Sequence, residues 1–130
     1  MKNYCLPLLL FISIFFSCEN TNLTGSENVS EIENVLFSQI TTSISNNVLT
    51  ASGTITNNNQ TLSISPPWYI ECQYYYSNST GNKFLIGGES TTINNALPAG
   101  VSLEWTLNHQ VDNAENYINF TIDDLRAYKN

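Results

Sequence analysis

From Val35 onward, apolar and polar side chains alternate along the chain, broken at intervals by Asn, Gly, Pro and Ser. Alternate residues of an extended chain point to opposite faces, so this period of two predicts half-buried strands joined by short turns. Val35–Ile44 reads as a first strand. In Val48–Thr56, Leu49, Ala51, Gly53 and Ile55 oppose Val48, Thr50 and Ser52, and the run stops at Asn57-Asn58-Asn59. Leu62 and Ile64 precede Pro66-Pro67, which interrupts any ladder because proline donates no backbone hydrogen bond. The segment "WYIECQYYY" carries the strongest signal. Trp68, Ile70, Cys72, Tyr74 and Tyr76 form its apolar face, expected to point inwards, and Tyr69, Glu71, Gln73 and Tyr75 form the other. Residues 77–82 read as a loop, Lys83–Gly88 as a strand and Ser90–Ile93 as a short edge strand. "ALPAG" reads as a turn, and Val101–Leu107 as a strand with Val101, Leu103, Trp105 and Leu107 inwards. The stretch "NHQVDNAEN" reads as a loop, before a last strand built on Ile118, Phe120 and Ile122. Turn signals at this spacing imply an all-β sandwich or barrel.

The first 34 residues have another pattern. Met1-Lys2-Asn3 leads into the apolar run Leu6–Phe16, which matches a signal-peptide core and falls short of the roughly 20 residues a spanning helix needs. Phe15-Phe16-Ser17-Cys18 resembles a bacterial lipobox, in which a small residue precedes the cysteine that becomes the lipidated N-terminus. Phe15 stands where Leu is usual, an aromatic variant similar to lipoprotein signals of Bacteroidetes-like bacteria. The alternative is an ordinary secretory signal, although no A-x-A-like cleavage site is present. The resemblance implies a signal peptide over residues 1–17, lipid on Cys18, and attachment to the cell envelope at the outer membrane, on its periplasmic or surface face. Residues 18–34, rich in Glu, Asn, Ser and Thr, are expected to be an acidic tether. The strands occupy residues 35–130. With Cys5 removed and Cys18 lipidated, Cys72 has no disulfide partner. Its place on an apolar face marks it as a buried small hydrophobe.

Three pieces of the strand region carry a second likeness. Gly53-Thr54-Ile55-Thr56-Asn57, then Cys72-Gln73-Tyr74-Tyr75-Tyr76 with Gly81 and Leu85, then Leu97-Pro98-Ala99-Gly100 with Trp105 beyond, together resemble the strand-end, central-strand and turn motifs of FxLYD-type domains. Cys72 replaces the first aromatic of the central motif, Tyr76 replaces its acid, and Ala99 separates proline from glycine. The resemblance implies an immunoglobulin-like, two-sheet antiparallel sandwich of about seven strands, found in envelope lipoproteins and bringing no catalytic site with it.

Charge and chemistry narrow the function. The formal charge is −7, with four basic residues against eleven acidic ones, which opposes a phosphate backbone; nucleic acid is excluded as a partner on this ground. His109 is the single histidine, expected in an exposed loop, so one chain cannot assemble a multi-histidine metal site. Asp112, Asn113, Glu115 and Asn116 offer oxygen ligands of the kind Ca²⁺ takes, without the spacing or glycine of an EF-hand; a solvated loop is the expectation. Asp123 and Asp124 are adjacent and are expected on opposite faces of a strand, unable to flank one glycosidic bond together. No nucleophile motif or phosphate loop is present, so neither catalysis nor a cofactor is expected. Tyr69, Tyr75 and Tyr117 are the candidate ligand-binding residues, because outward aromatics can stack on sugars or anchor a protein. The functional expectation is a lipid-anchored module for protein interaction or assembly. The alternative is a carbohydrate-binding surface lipoprotein that uses those tyrosines.

Overall fold

The computed structural model describes residues 29–130. They form an immunoglobulin-like sandwich of two antiparallel sheets. The strands are β1 (Ser30–Glu31), β2 (Val35–Ser45), β3 (Val48–Asn57), β4 (Trp68–Ser77), β5 (Lys83–Ile93), β6 (Ser102–Gln110) and β7 (Thr121–Lys129). One sheet has the order β1-β7-β4-β5 and the other β2-β3-β6. Cys18 and the signal and lipobox residues lie outside the described residues. The sheet begins at Ser30 rather than Val35: Ser30 and Glu31 pair with Lys129 and Tyr128, the Ile32 amide donates to Ala127 O, and Ile32 packs on the core. Extended pairing here satisfies the backbone groups of this segment.

The inward face of β4 is as its alternation predicts. Trp68, Ile70, Cys72 and Tyr74 are fully buried, against Leu49, Ala51 and Ile55 of β3 and Trp105 and Leu107 of β6. Gly53 permits a close approach. A Cβ there would lie 3.0 Å from Trp105 Cζ2 and 2.9 Å from Ser38 O, so the wide indole and the β2 backbone both require glycine.

Asn57 ends β3 as a fully buried polar residue. Its Nδ2 donates to Leu62 O (2.8 Å) and Leu97 O (2.9 Å), and its Oδ1 accepts from the Asn59 amide (3.1 Å) and side chain (2.8 Å). Its backbone bonds Val101 O and the Gly100 amide, and Gly100 turns with φ +73°. One side chain therefore ties the 58–64 loop to the 94–101 turn.

Several expectations change. Ser90–Ile93 is not a separate edge; Gly87 and Gly88 pair regularly with Tyr74 and Gln73, so one strand, β5, runs through them, with a single bulge at Ile86. Val101 is exposed, because its neighbourhood is spent on the turn against Asn57 and β6 starts at Ser102. Ile118 is 72% exposed and lies before β7, since Ala114–Tyr117 forms a 3-10 turn capped by Asn113 Oδ1. The expected opposition of Asp123 and Asp124 fails too. A bulge between the Glu71 and Gln73 pairings, with Asp124 at φ +52°, brings both onto the outer face, where Asp123 is bound by Lys83.

Candidate functional site

The sandwich has two unlike ends. At one, the chain enters at Ser30 beside Lys129, near the 58–67 and 94–101 connections. At the other lie the β2–β3 turn, the 77–82 loop and residues 111–120. Asn46 (φ 48°) and Asn47 (φ 62°) make a two-residue hairpin turn of the left-handed kind, which Asn tolerates. Asn47 also holds the chain just beyond β6: its carbonyl accepts from the Val111 amide (2.9 Å) and its Oδ1 from the Ala114 amide (3.2 Å).

Between this hairpin and the 114–120 segment runs an open groove of about 550 Å³. Ala114 and Phe120, both buried, form its floor, while Ile44 and Ile118 stand exposed at its rim. Thr42 and Ile44 pair with the buried Ala51 and Leu49, so they lie on the inner face of β2. Among the described residues both remain exposed there. Phe120 is braced by stacking on Tyr74 at 5.7 Å. On the other side of Ile118 a shallower hollow of about 150 Å³ is lined by Tyr76, Tyr117 and Asn119.

The three tyrosines singled out from sequence do not form one platform. Tyr69, half-buried, stacks on Tyr128 at 5.1 Å near the chain-entry end. Tyr75 is about 20 Å further along β4, at ~3.3 Å per residue. Its hydroxyl donates to Gln73 Oε1 (2.5 Å), and Lys83 Nζ sits 4.4 Å from its ring centroid. Tyr117, at the groove end, meets Tyr76 edge-on at 5.4 Å. Glu71 and Gln73, on the same face as Tyr69 and Tyr75, are buried rather than solvated. Glu71 Oε1 accepts from Arg126 Nε and Nη2, both at 2.5 Å, and its Oε2 has no protein partner. Burial, and next the Glu71 charge, raise the pKa of the neighbouring Tyr128.

His109 is not in an exposed loop. It sits in β6 in step with Trp105 and Leu107, half-buried, stacked on Tyr74 at 5.3 Å, with Nδ1 donating to Glu89 Oε1 at 2.8 Å. That contact joins the two sheets. Gly87 makes room for the ring, since a Cβ there would fall 2.4 Å from His109 Cε1. Cys72 is inert: desolvation pushes its thiol up to about 12, the reverse of what a nucleophile needs. Asp112, Asn113, Glu115 and Asn116 are exposed around the 3-10 turn, and among the described residues no group of three or more His, Cys, Asp or Glu is placed to hold a metal ion. Nor is any described helix long and apolar enough to cross a membrane.

Sequence reasoning missed Ile44 and Ile118 as site residues, reading both only as parts of strands. Ile118 carried a usable signal, since Asn113-Ala114-Glu115 is a capped helical start that displaces the strand downstream. Searched against protein-family models, curated proteins and solved structures, the chain matches none.

Proposed function

We propose that the chain is a lipid-anchored module of the bacterial envelope, attached through Cys18, that recognises a protein partner at the groove end of its sandwich without performing catalysis. One observation carries this reading: the chain enters the fold at the end opposite the groove. Strand β7 has nine residues, which at ~3.3 Å each sets the ends about 30 Å apart. Residues 19–29 reach at most about 40 Å from Cys18. An anchor at Cys18 would therefore join the body at the end opposite the groove, on a tether longer than the body, and would leave the groove uncovered for a partner. The residues on which the FxLYD likeness rests support a non-catalytic reading, because Gly53, Asn57, Leu97 and Gly100 act in packing and turn geometry.

The test has two arms. Metabolic labelling with a palmitate analogue should mark the wild-type protein, and a Cys18→Ser chain that still labels would end the anchoring claim. A photo-crosslinker at Ile118 should trap a defined envelope protein that the same group at Leu62, exposed at the opposite end, does not. Equal trapping from both positions would remove the groove end from the reading. The second reading, glycan binding, is favoured by the half-exposed Tyr69 and Tyr75 on the outer sheet face. Glycan-array binding abolished by Tyr75→Ala would select it.

A further inference from the structure

Each sheet edge exposes backbone groups to pairing, and three of the four are blunted. Strand β5 carries Lys83 and Glu89, and β6 carries Glu104 and His109. The edge of β7 is part-covered by β1, bulged at Asp124, and charged at Asp123, Asp124 and Arg126. Strand β2 differs. Its eleven residues, "VLFSQITTSIS", contain no charge and no proline. Its bulge lies between Ser38 and Thr41, with Gln39 at φ +52°, and leaves Thr41–Ser45 regular and exposed.

The hairpin fixes which of these groups are free. In a two-residue hairpin the closing pair, Ser45 and Val48, exchanges both backbone bonds, and bonding alternates from there. Ser43 and Thr41 therefore bond inwards to Thr50 and Ser52, while the N–H and C=O of Thr42 and Ile44 point to the open side. The same two residues turn their side chains into the groove. A strand laid on this edge would satisfy those groups and drop alternate side chains between Ile44, Ile118 and Phe120.

Charge selects the occupant. Glu115 lines the groove and Asp112 stands exposed nearby, whereas Lys83 is bound by Asp123 and His109 by Glu89. The free charge at this end is thus negative, on a chain of formal charge −7. A second copy pairing through β2 brings an uncharged strand and no cation for Glu115. We propose that an extended segment of a partner protein, with alternating apolar side chains and flanking lysine or arginine, adds to β2 at Thr42–Ile44 and fills the groove. This rests on the protein-recognition reading above and is independent of the lipid: an unlabelled Cys18 would remove the anchor and leave strand addition standing.

The test uses the full-length chain in detergent micelles and a blocked nine-residue peptide, with lysine at both ends and isoleucine alternating with threonine between. Binding should slow hydrogen exchange of the Thr42 and Ile44 amides at least tenfold. Thr42→Pro removes an outward N–H and leaves the β2–β3 ladder intact, so it should weaken binding at least tenfold with unchanged circular dichroism. If that variant loses its fold, Ile118→Ser at the exposed rim carries the same expectation. A glutamate-ended peptide should bind at least fivefold more weakly at low salt. The proposal is overturned by equal affinity in these variants, by protection at another edge, by no binding at millimolar peptide, or by a dimer whose Thr42 and Ile44 amides are protected without peptide.

Discussion

Replacing Asn57 by leucine keeps the branching of the side chain while deleting every side-chain bond that joins β3 to the 58–64 loop and the 94–101 turn. Four hydrogen bonds are lost, at about 1 kcal/mol each. They are not equal. Leu97 O keeps the Ile64 amide as a donor, and the Asn59 groups are half-exposed and can turn to water. Leu62 O is left without its Asn57 donor. Setting the retained bonds against the lost ones gives a net loss of about 3 kcal/mol. For a domain of this size about 4–8 °C is lost per kcal/mol, so the melting temperature should fall by about 15 °C. Trp68 and Trp105 are both buried, so tryptophan fluorescence during urea or thermal unfolding reports the loss directly. Asn59→Ala, which removes one of the four bonds, should cost no more than about 1 kcal/mol. A cost below about 1 kcal/mol for Asn57→Leu, or an equal cost for Asn59→Ala, would refute the assignment of Asn57 as the tie between these connections.

Arg126→Met should destabilise by about 3–5 kcal/mol, because it strands the Glu71 carboxylate, only 4% exposed, without its cation. The Glu71→Leu/Arg126→Met pair should recover most of that in urea titrations, and no recovery would mean the cost lay elsewhere. Gly87→Ala places a methyl inside the His109 ring position and should cost about 1–3 kcal/mol. The penalty should shrink in a His109→Ala background, and an undiminished one would show that the ring is not the obstacle. Cys72 should resist alkylation in the folded chain and react on unfolding, followed by mass spectrometry of its peptide. Its pKa is raised from 9.0 to about 12, so between those values the folded state holds a proton that the unfolded state has lost. Stability should therefore fall as pH rises from about 9, and Cys72→Ala should flatten that decline; a steeper one would reverse the sign. Tyr74, raised by burial, adds to the slope above pH 10.

The period of two was enough to place the core. Leu49, Ala51, Ile55, Trp68, Ile70, Cys72, Tyr74, Trp105 and Leu107 are all buried where alternation puts them, because sheet burial is a property of one face. What alternation misread were positions where the chain leaves regular geometry. The bulge at Asp124 returns two neighbours to one face, and the capped turn at Ala114–Tyr117 takes Ile118 out of a strand. Alternation puts Glu71 on the face opposite the core, yet it is buried there beside Arg126, more than fifty positions away. His109 looked like loop because "NHQ" is polar, yet Gly87 and Glu89 on the opposite sheet supply the space and the acceptor. Periodicity along the chain contains no pairing between strands or sheets, so such residues are invisible to it.

The groove is harder still to read, because it is not made by a motif within β2. Ile44 has the right parity for the core, pairing with the buried Leu49, and yet it is 36% exposed. No residue type announces that exposure. Composition does offer one trace: Val35–Ser45 lacks the charges that the other edge strands carry. An unguarded edge on an acidic chain would be a hazard if it met its own copies, and the long-range repulsion between copies offsets that hazard without any residue on the strand itself. The same repulsion does nothing against a cationic segment. A strand kept neutral on a surface kept negative thus discriminates between self and partner by charge alone, and raising the ionic strength should erode that discrimination from both sides.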